Sequence, residues 1–200
     1  MGSFADILTR EFRWPKRGDQ AFSVSNDWQR NAQIVTGVHT RLVLMMSGYK
    51  NAADLLVERS QRSGYDRDIL VYPIVFTYRQ FIELELKYLI STYGYTVGID
   101  ANWKSHDIAF LWAVFVKVLA GYGVKDPDET DSVVSAIVAE FAKVDPQSYS
   151  YRYPVDVLGN EIPLTFEALD LLALKNVMDG VGGFFTGCDG YLDHLQGAGP

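Results

Sequence analysis

The chain has 200 residues, 48% of them apolar and 22% charged, with a formal net charge of −7. That length suits a single domain able to bury a core without covalent staples, and the one cysteine, Cys188, excludes an internal disulfide and is the usage expected in a reducing cytoplasm. The acidic balance argues against a broad nucleic-acid-binding surface but leaves room for a small basic pocket.

Residues 1–25 carry Pro15, Gly18 and mixed charge, and read as an irregular arm. Its cationic run, REFRWPKR at 10–17, most simply faces water. The start lacks the basic-then-apolar order of a signal peptide, and no apolar run is long enough to span a bilayer, so neither secretion nor membrane insertion is expected. From Asp27, the residues Ile34, Val35, Val38, Leu42, Met45 and Met46 follow the spacing of one helix face, and Gly48 is expected to end or bend that helix. A second helix begins with Ala52, Ala53, Leu55, Leu56 and Val57 and ends near Ser63-Gly64. A third and longest covers roughly 68–93, with Pro73 near its start and Gly94 at its end.

Ser105 is a suitable N-cap for a fourth helix over 106–120, where Ile108, Leu111, Trp112, Phe115, Val116 and Leu119 make the apolar stripe. Asp126-Pro127-Asp128-Glu129 reads as a capped start for a fifth, which buries Val134, Ile137, Val138 and Phe141. The stretch DPQSYSYRYPVDVLGNEIP then breaks the rhythm and predicts a loop near 149–163 with a short hairpin turning at Gly159-Asn160. A last helix runs from about Phe166 to at least Met178, continues into a glycine-rich segment, and the final GAGP is a loose tail. With no repeat and no dividing linker, residues 26–197 are expected to form a single domain of the all-α class, an antiparallel bundle of about six helices.

Three clusters carry chemistry. On the long helix Arg79, Glu83 and Lys87 advance by about 40° per step and form one stripe on an otherwise apolar element. They either pair with one another as an i,i+4 ladder or reach a cleft. Ser105-His106-Asp107 opens the next helix, where backbone N–H groups favour an anion and His106, off the apolar stripe, is a candidate general base as the neutral imidazole; a simple capped terminus is the other reading. Tyr149, Tyr151, Arg152 and Tyr153 lie together in the loop, able to stack bases and clasp phosphate or merely to cover the core. If the chain is an enzyme, Arg79, Glu83, His106 and Arg152 are the catalytic candidates, with Lys87, Asp107, Tyr151 and Tyr153 on the substrate. Three histidines and one cysteine give no metal-ligand spacing, and no phosphate-cradling glycine motif or nucleophile elbow is present, so neither a metal nor a cofactor is expected.

The order GYKNAADLLVE, FTYRQFIELELKYLI, SHDIAFLW and SYSYRYPVD resembles bacterial HEPN-like proteins (higher eukaryotes and prokaryotes nucleotide-binding domains) over roughly residues 28–195. The resemblance implies a helical bundle that commonly dimerises. Many such proteins are metal-independent ribonucleases of toxin–antitoxin and anti-phage systems, and others are non-catalytic companions of nucleotidyltransferases. Catalytic members follow an Arg with a His four to six residues later. Here Arg79 is followed at that distance by Glu83, Leu84 and Glu85, so this chain is a divergent form in which His106 and Arg152 would have to complete the site. RNA or a nucleotide, a second copy of the chain and a nucleotidyltransferase-type protein are the expected partners. A non-catalytic helical adaptor or dimerisation module is the alternative.

Overall fold

The computed structural model describes residues 13–125, 129–146 and 148–198. Chain contacts divide it into two units, residues 1–35 and 36–200. In the described part of the first unit the only helical element is one 3-10 turn, Trp28–Arg30, capped by the Asp27 carboxylate on the Gln29 N–H. A second turn closes where Arg13 Nη2 and the Lys16 N–H both donate to Asp19, with Gly18 at φ 93° between them. The helix expected from Asp27 does not form there. Ile34 is 87% exposed and the first α-helix begins only after Gly37, because apolar spacing without a face to pack against does not hold a helix.

Among its described residues the second unit is all-helical, with five α-helices where about six were expected. They are α1 (Val38–Ser60), α2 (Gly64–Tyr93), α3 (Ile108–Gly121), α4 (Thr130–Val144) and α5 (Leu171–Ala198), with a 3-10 turn at Gly94–Val97. The missing element is the break expected at Gly48. Leu42, Met46, Ala53 and Val57 are all buried on one stripe, and Ala53 lies seven positions, about two turns, beyond Met46, so the same face continues through the glycine. Packing of that face outweighs the roughly 1 kcal/mol that glycine costs inside a helix.

Helix α2 starts at Gly64, a turn earlier than the apolar pattern suggests, because the Ser63 side chain caps the Asp66 N–H. Pro73 therefore lies inside it, in a half where Ile69 and Tyr72 are exposed and water can take the carbonyl that proline leaves unpaired. Beyond Ile74 almost every position is buried, as α1, α3 and α5 all pack on α2. The rings of Phe81 and Phe115 meet Phe185 edge-on across this core. Helix α3 is capped by Asp107 rather than Ser105, and its buried side uses Val118 where the sequence pointed to Val116. The cap expected at Asp126-Pro127-Asp128 lies outside the described residues. Helix α5 starts at Leu171 rather than Phe166, because the Asp170 carboxylate caps the N–H groups of Leu172 and Ala173. The loop before it closes through one antiparallel bridge, Val155 to Glu161, around Gly159 at φ 83°, which is the short hairpin expected there. Among the described residues no helix is long and apolar enough to cross a membrane.

Two glycines separate tolerance from constraint. A Cβ on Gly48 meets nothing, whereas one on Gly94 lies 2.5 Å from the Ile99 carbonyl. Gly48→Ala should stabilise by about 0.5–1 kcal/mol and Gly94→Ala should destabilise by about 1–3 kcal/mol in urea unfolding.

Between α2 and α5 the Tyr93 hydroxyl donates to Asp189 Oδ1 at 2.6 Å. Burial first, and the Asp189 charge second, push Glu85 up to about 7. The folded protein keeps that proton between the ordinary value of 4.5 and about 7, where the unfolded chain has lost it. Stability therefore falls as pH rises through this window. Glu85→Gln should exceed the parent protein in unfolding free energy at pH 7.5, by on the order of 1 kcal/mol, and match it near pH 4.5.

Candidate functional site

The charged stripe of α2 is buried. Arg79 and Glu83 have essentially no exposed side-chain surface and Lys87 very little. A guanidinium in that position needs acceptors for its N–H groups, and they come from three directions. Nη1 donates to Glu83 Oε2 at 3.1 Å on its own helix. Nε donates to the Asp145 carbonyl at 2.7 Å, at the end of α4. Nη2 donates to the His106 carbonyl at 2.7 Å, just before α3, and to the Pro146 carbonyl at 3.4 Å. The Asp145 carboxylate, fully buried, lies 3.7 Å from Nε and accepts the Ser150 N–H on its other oxygen. Arg79 and Lys87 thus face Glu83 and Asp145, two charges of each sign.

Glu83 is the second branch point. Its Oε1 accepts from Lys87 Nζ at 2.8 Å and contacts His106 Nδ1 at 2.8 Å. Burial by itself would raise the Glu83 carboxyl, but the hydrogen bond and charge of Lys87, then those of His106, hold it below its ordinary value. An ionised carboxylate only accepts, so Nδ1 of His106 carries a proton in either charge state of the ring, and in the neutral form it is Nε2 that keeps the lone pair. The His106 side chain is 64% exposed although the carboxylate behind it is sealed.

His106, Asp107 and Ser105 form one wall of a cleft of about 590 Å3, and Pro146, Ser148, Tyr149 and Arg152 form the other, with Gln80 between them. The Arg152 guanidinium lies over the rings of Phe76 at 5.2 Å, Tyr153 at 5.6 Å and Tyr149 at 6.0 Å, and its Nε donates to the Ser148 carbonyl. Its terminal nitrogens hydrogen-bond no described residue. Ser148 sits at φ 63°, a conformation rare for a residue with a side chain, at the bend that turns this wall.

The expected site residues divide into two layers. His106, Asp107 and Arg152 share the cleft, while Arg79, Glu83 and Lys87 lie behind it and are closed to solvent. Arg79 therefore reaches no ligand directly; it holds the cleft walls. Tyr151 turns inward, buried against Tyr72, and Tyr153 borders a neighbouring groove, while Tyr149 takes the place at the cleft. The sequence reading missed Asp145 and Gln80 altogether. Asp145 had only the weak signal of an acid before Pro146 at the end of a helical pattern, and Gln80 none beyond its place beside Arg79. Among the described residues no group of three or more His, Cys, Asp or Glu is arranged to hold a metal ion. No family model, no curated protein and no solved structure matches this chain.

Arg79→Leu leaves the Glu83 and Asp145 carboxylates buried without their shared cation. It should lower unfolding free energy by about 3–5 kcal/mol. Arg79→Lys keeps the charge but not the fork that reaches three segments, and should recover only part of that loss. An Arg79→Leu protein as stable as its parent in urea unfolding would show that the clamp is dispensable.

Proposed function

We propose that this protein is a HEPN-like antiparallel helical bundle that binds, and in its active form cleaves, RNA or a nucleotide. The observation that carries this reading is the exposed His106 imidazole, fixed at Nδ1 by a buried carboxylate, in one cleft with a guanidinium whose terminal nitrogens are unoccupied by described residues. A 2′-hydroxyl within reach of His106 Nε2 gives up its proton to that nitrogen, its oxygen forms a bond to phosphorus, and the bond from phosphorus to the 5′-oxygen breaks. The products are a cyclic phosphate and a 5′-hydroxyl, the leaving oxygen taking its proton from water. Arg152 stabilises the charge that grows on the phosphate oxygens, and its terminal nitrogens suit bidentate contact. Glu83 fixes the tautomer, with Arg79 and Lys87 holding Glu83, and no step calls on a metal. A toxin–antitoxin or anti-phage role in the cytoplasm, and a nucleotidyltransferase-type partner, accompany this reading through the resemblance alone.

The same resemblance makes a homodimer the expected assembly. On α5, the helix whose glycine-rich segment would allow a close contact, Phe185 is fully buried in the core and Phe184 packs on Trp112. Tyr191 is exposed on α5 beside Gly183, Gly187 and Gly190, so that face supports the dimer expectation.

A non-catalytic adaptor is the second reading. The closed Arg79–Glu83–Lys87 network favours it, since such a network organises a bundle whether or not chemistry follows. Cleavage of mixed RNA in chelator separates the two. Under the first reading His106→Ala and Arg152→Ala, each matched for folding, lower the rate by about a hundredfold or more. RNA left intact by the parent protein, or a rate indifferent to both substitutions, moves the assignment to the adaptor.

A further inference from the structure

We propose that Asp145 is a positioning residue for Arg152, its carboxylate closing the turn that aims the Ser148 carbonyl at the guanidinium; the role of Arg152 on phosphate rests on the RNA reading above. The guanidinium lies over the rings of Phe76, Tyr149 and Tyr153. Ring faces attract a cation but leave it free to turn in its own plane. Among the described residues its one directional tie is the bond from Nε to the Ser148 carbonyl. The direction in which the terminal nitrogens point therefore follows the direction of that carbonyl.

Ser148 is buried at φ 63°, a conformation that a residue with a side chain keeps only where its surroundings hold it. Asp145 holds it from both sides. Its carbonyl accepts the Ser148 N–H at 3.5 Å, and its carboxylate Oδ1 accepts the Ser150 N–H at 2.9 Å. The same carbonyl takes Arg79 Nε, which anchors the turn to α2. The other carboxylate oxygen, Oδ2, hydrogen-bonds no described residue and lies 3.7 Å from Arg79 Nε. The two oxygens thus divide two tasks. Oδ2 adds charge to the Arg79 clamp, and Oδ1 shapes the wall that carries Arg152.

Two substitutions separate these tasks. Asp145→Asn keeps an oxygen for the Ser150 N–H and removes the charge. Ser150→Pro removes that N–H and leaves the charge. Ser150 is the second residue of the turn closed by the Arg152 N–H on the Tyr149 carbonyl, a position that suits proline.

The readout is the Arg152 Nε–H in proton–nitrogen NMR of the full chain, assigned as the side-chain signal absent from Arg152→Ala. A hydrogen-bonded N–H exchanges slowly with water and a free one fast. The signal should be protected in the parent protein and in Asp145→Asn, and lost in Ser150→Pro. Urea unfolding should show the reverse order, with Asp145→Asn destabilised and Ser150→Pro close to the parent. In chelator, Ser150→Pro should lower RNA cleavage about ten- to a hundredfold, the loss expected when a group is misplaced by ~1 Å, and should add nothing to Arg152→Ala. An Arg152 Nε–H that is unprotected in the parent, survives Ser150→Pro, or disappears in a folded Asp145→Asn overturns the assignment. Where Asp145→Asn does not fold, Ser150→Pro decides alone. RNA left intact by the parent overturns the cleavage reading and not this one, because the NMR signal needs no RNA.

Discussion

Arg79 enters the middle of α2 with no solvent contact, and every other feature of the site depends on how that charge is accommodated. Moving a guanidinium out of water costs several kcal/mol unless its N–H groups find acceptors and its charge finds a partner. A single helix can supply only part of that, here the Glu83 carboxylate one turn on. The rest comes from backbone carbonyls on two segments remote in sequence, His106 before α3 and Asp145-Pro146 after α4. The cost of burying the charge is thereby converted into a constraint on loop geometry. Both segments must come to α2, and must present carbonyls to it, for the guanidinium to be satisfied.

The cleft is the consequence. Its two walls are the two segments that Arg79 holds, so a buried ion pair and an exposed pocket are two sides of one arrangement. Glu83 extends the same logic from backbone to side chain. It takes Lys87 and Arg79 from below and His106 from above, so the imidazole is oriented by a group that no ligand touches. Arg152 is held differently, by aromatic rings and one carbonyl near the surface, which fixes its position without using its terminal nitrogens. Buried members of such a network are high in energetic stake and low in direct contact, while exposed members are the reverse. A substitution that unfolds the protein and one that only alters the cleft lining can therefore lie on neighbouring residues, as Arg79 and Gln80 do.

Local patterns in the chain carried a large part of the helical architecture. The all-round apolar character of 74–90 marks a buried helix whatever packs on it, and the stripes around Leu111 and Val138 need no tertiary knowledge to be read. Gly48 and Ile34 were misleading for opposite reasons. Glycine lowers helix propensity by an amount that a continuous buried face overrides, and apolar spacing at 34–35 suggests a helix that no surrounding face supports. Caps moved by a few residues, from Ser105 to Asp107 and from near Phe166 to Asp170, because several polar residues near each start could serve and local geometry chose among them.

For the site, the sequence by itself determined that three charges at i, i+4 and i+8 lie on one side of a buried helix, since helical periodicity and apolar content depend only on nearby residues. It also marked His106 and Arg152 as polar groups that no core pattern absorbs. Whether that stripe faced inward or outward, and which loop completed it, depended on contacts between residues as far apart as Arg79 and Asp145. No local pattern encodes such a pairing, because a backbone carbonyl accepts equally well from any residue type. Only the tertiary structure could make Asp145 a partner of Arg79, turn Tyr151 inward and Tyr149 outward, and place Gln80 between two walls that the chain itself keeps far apart.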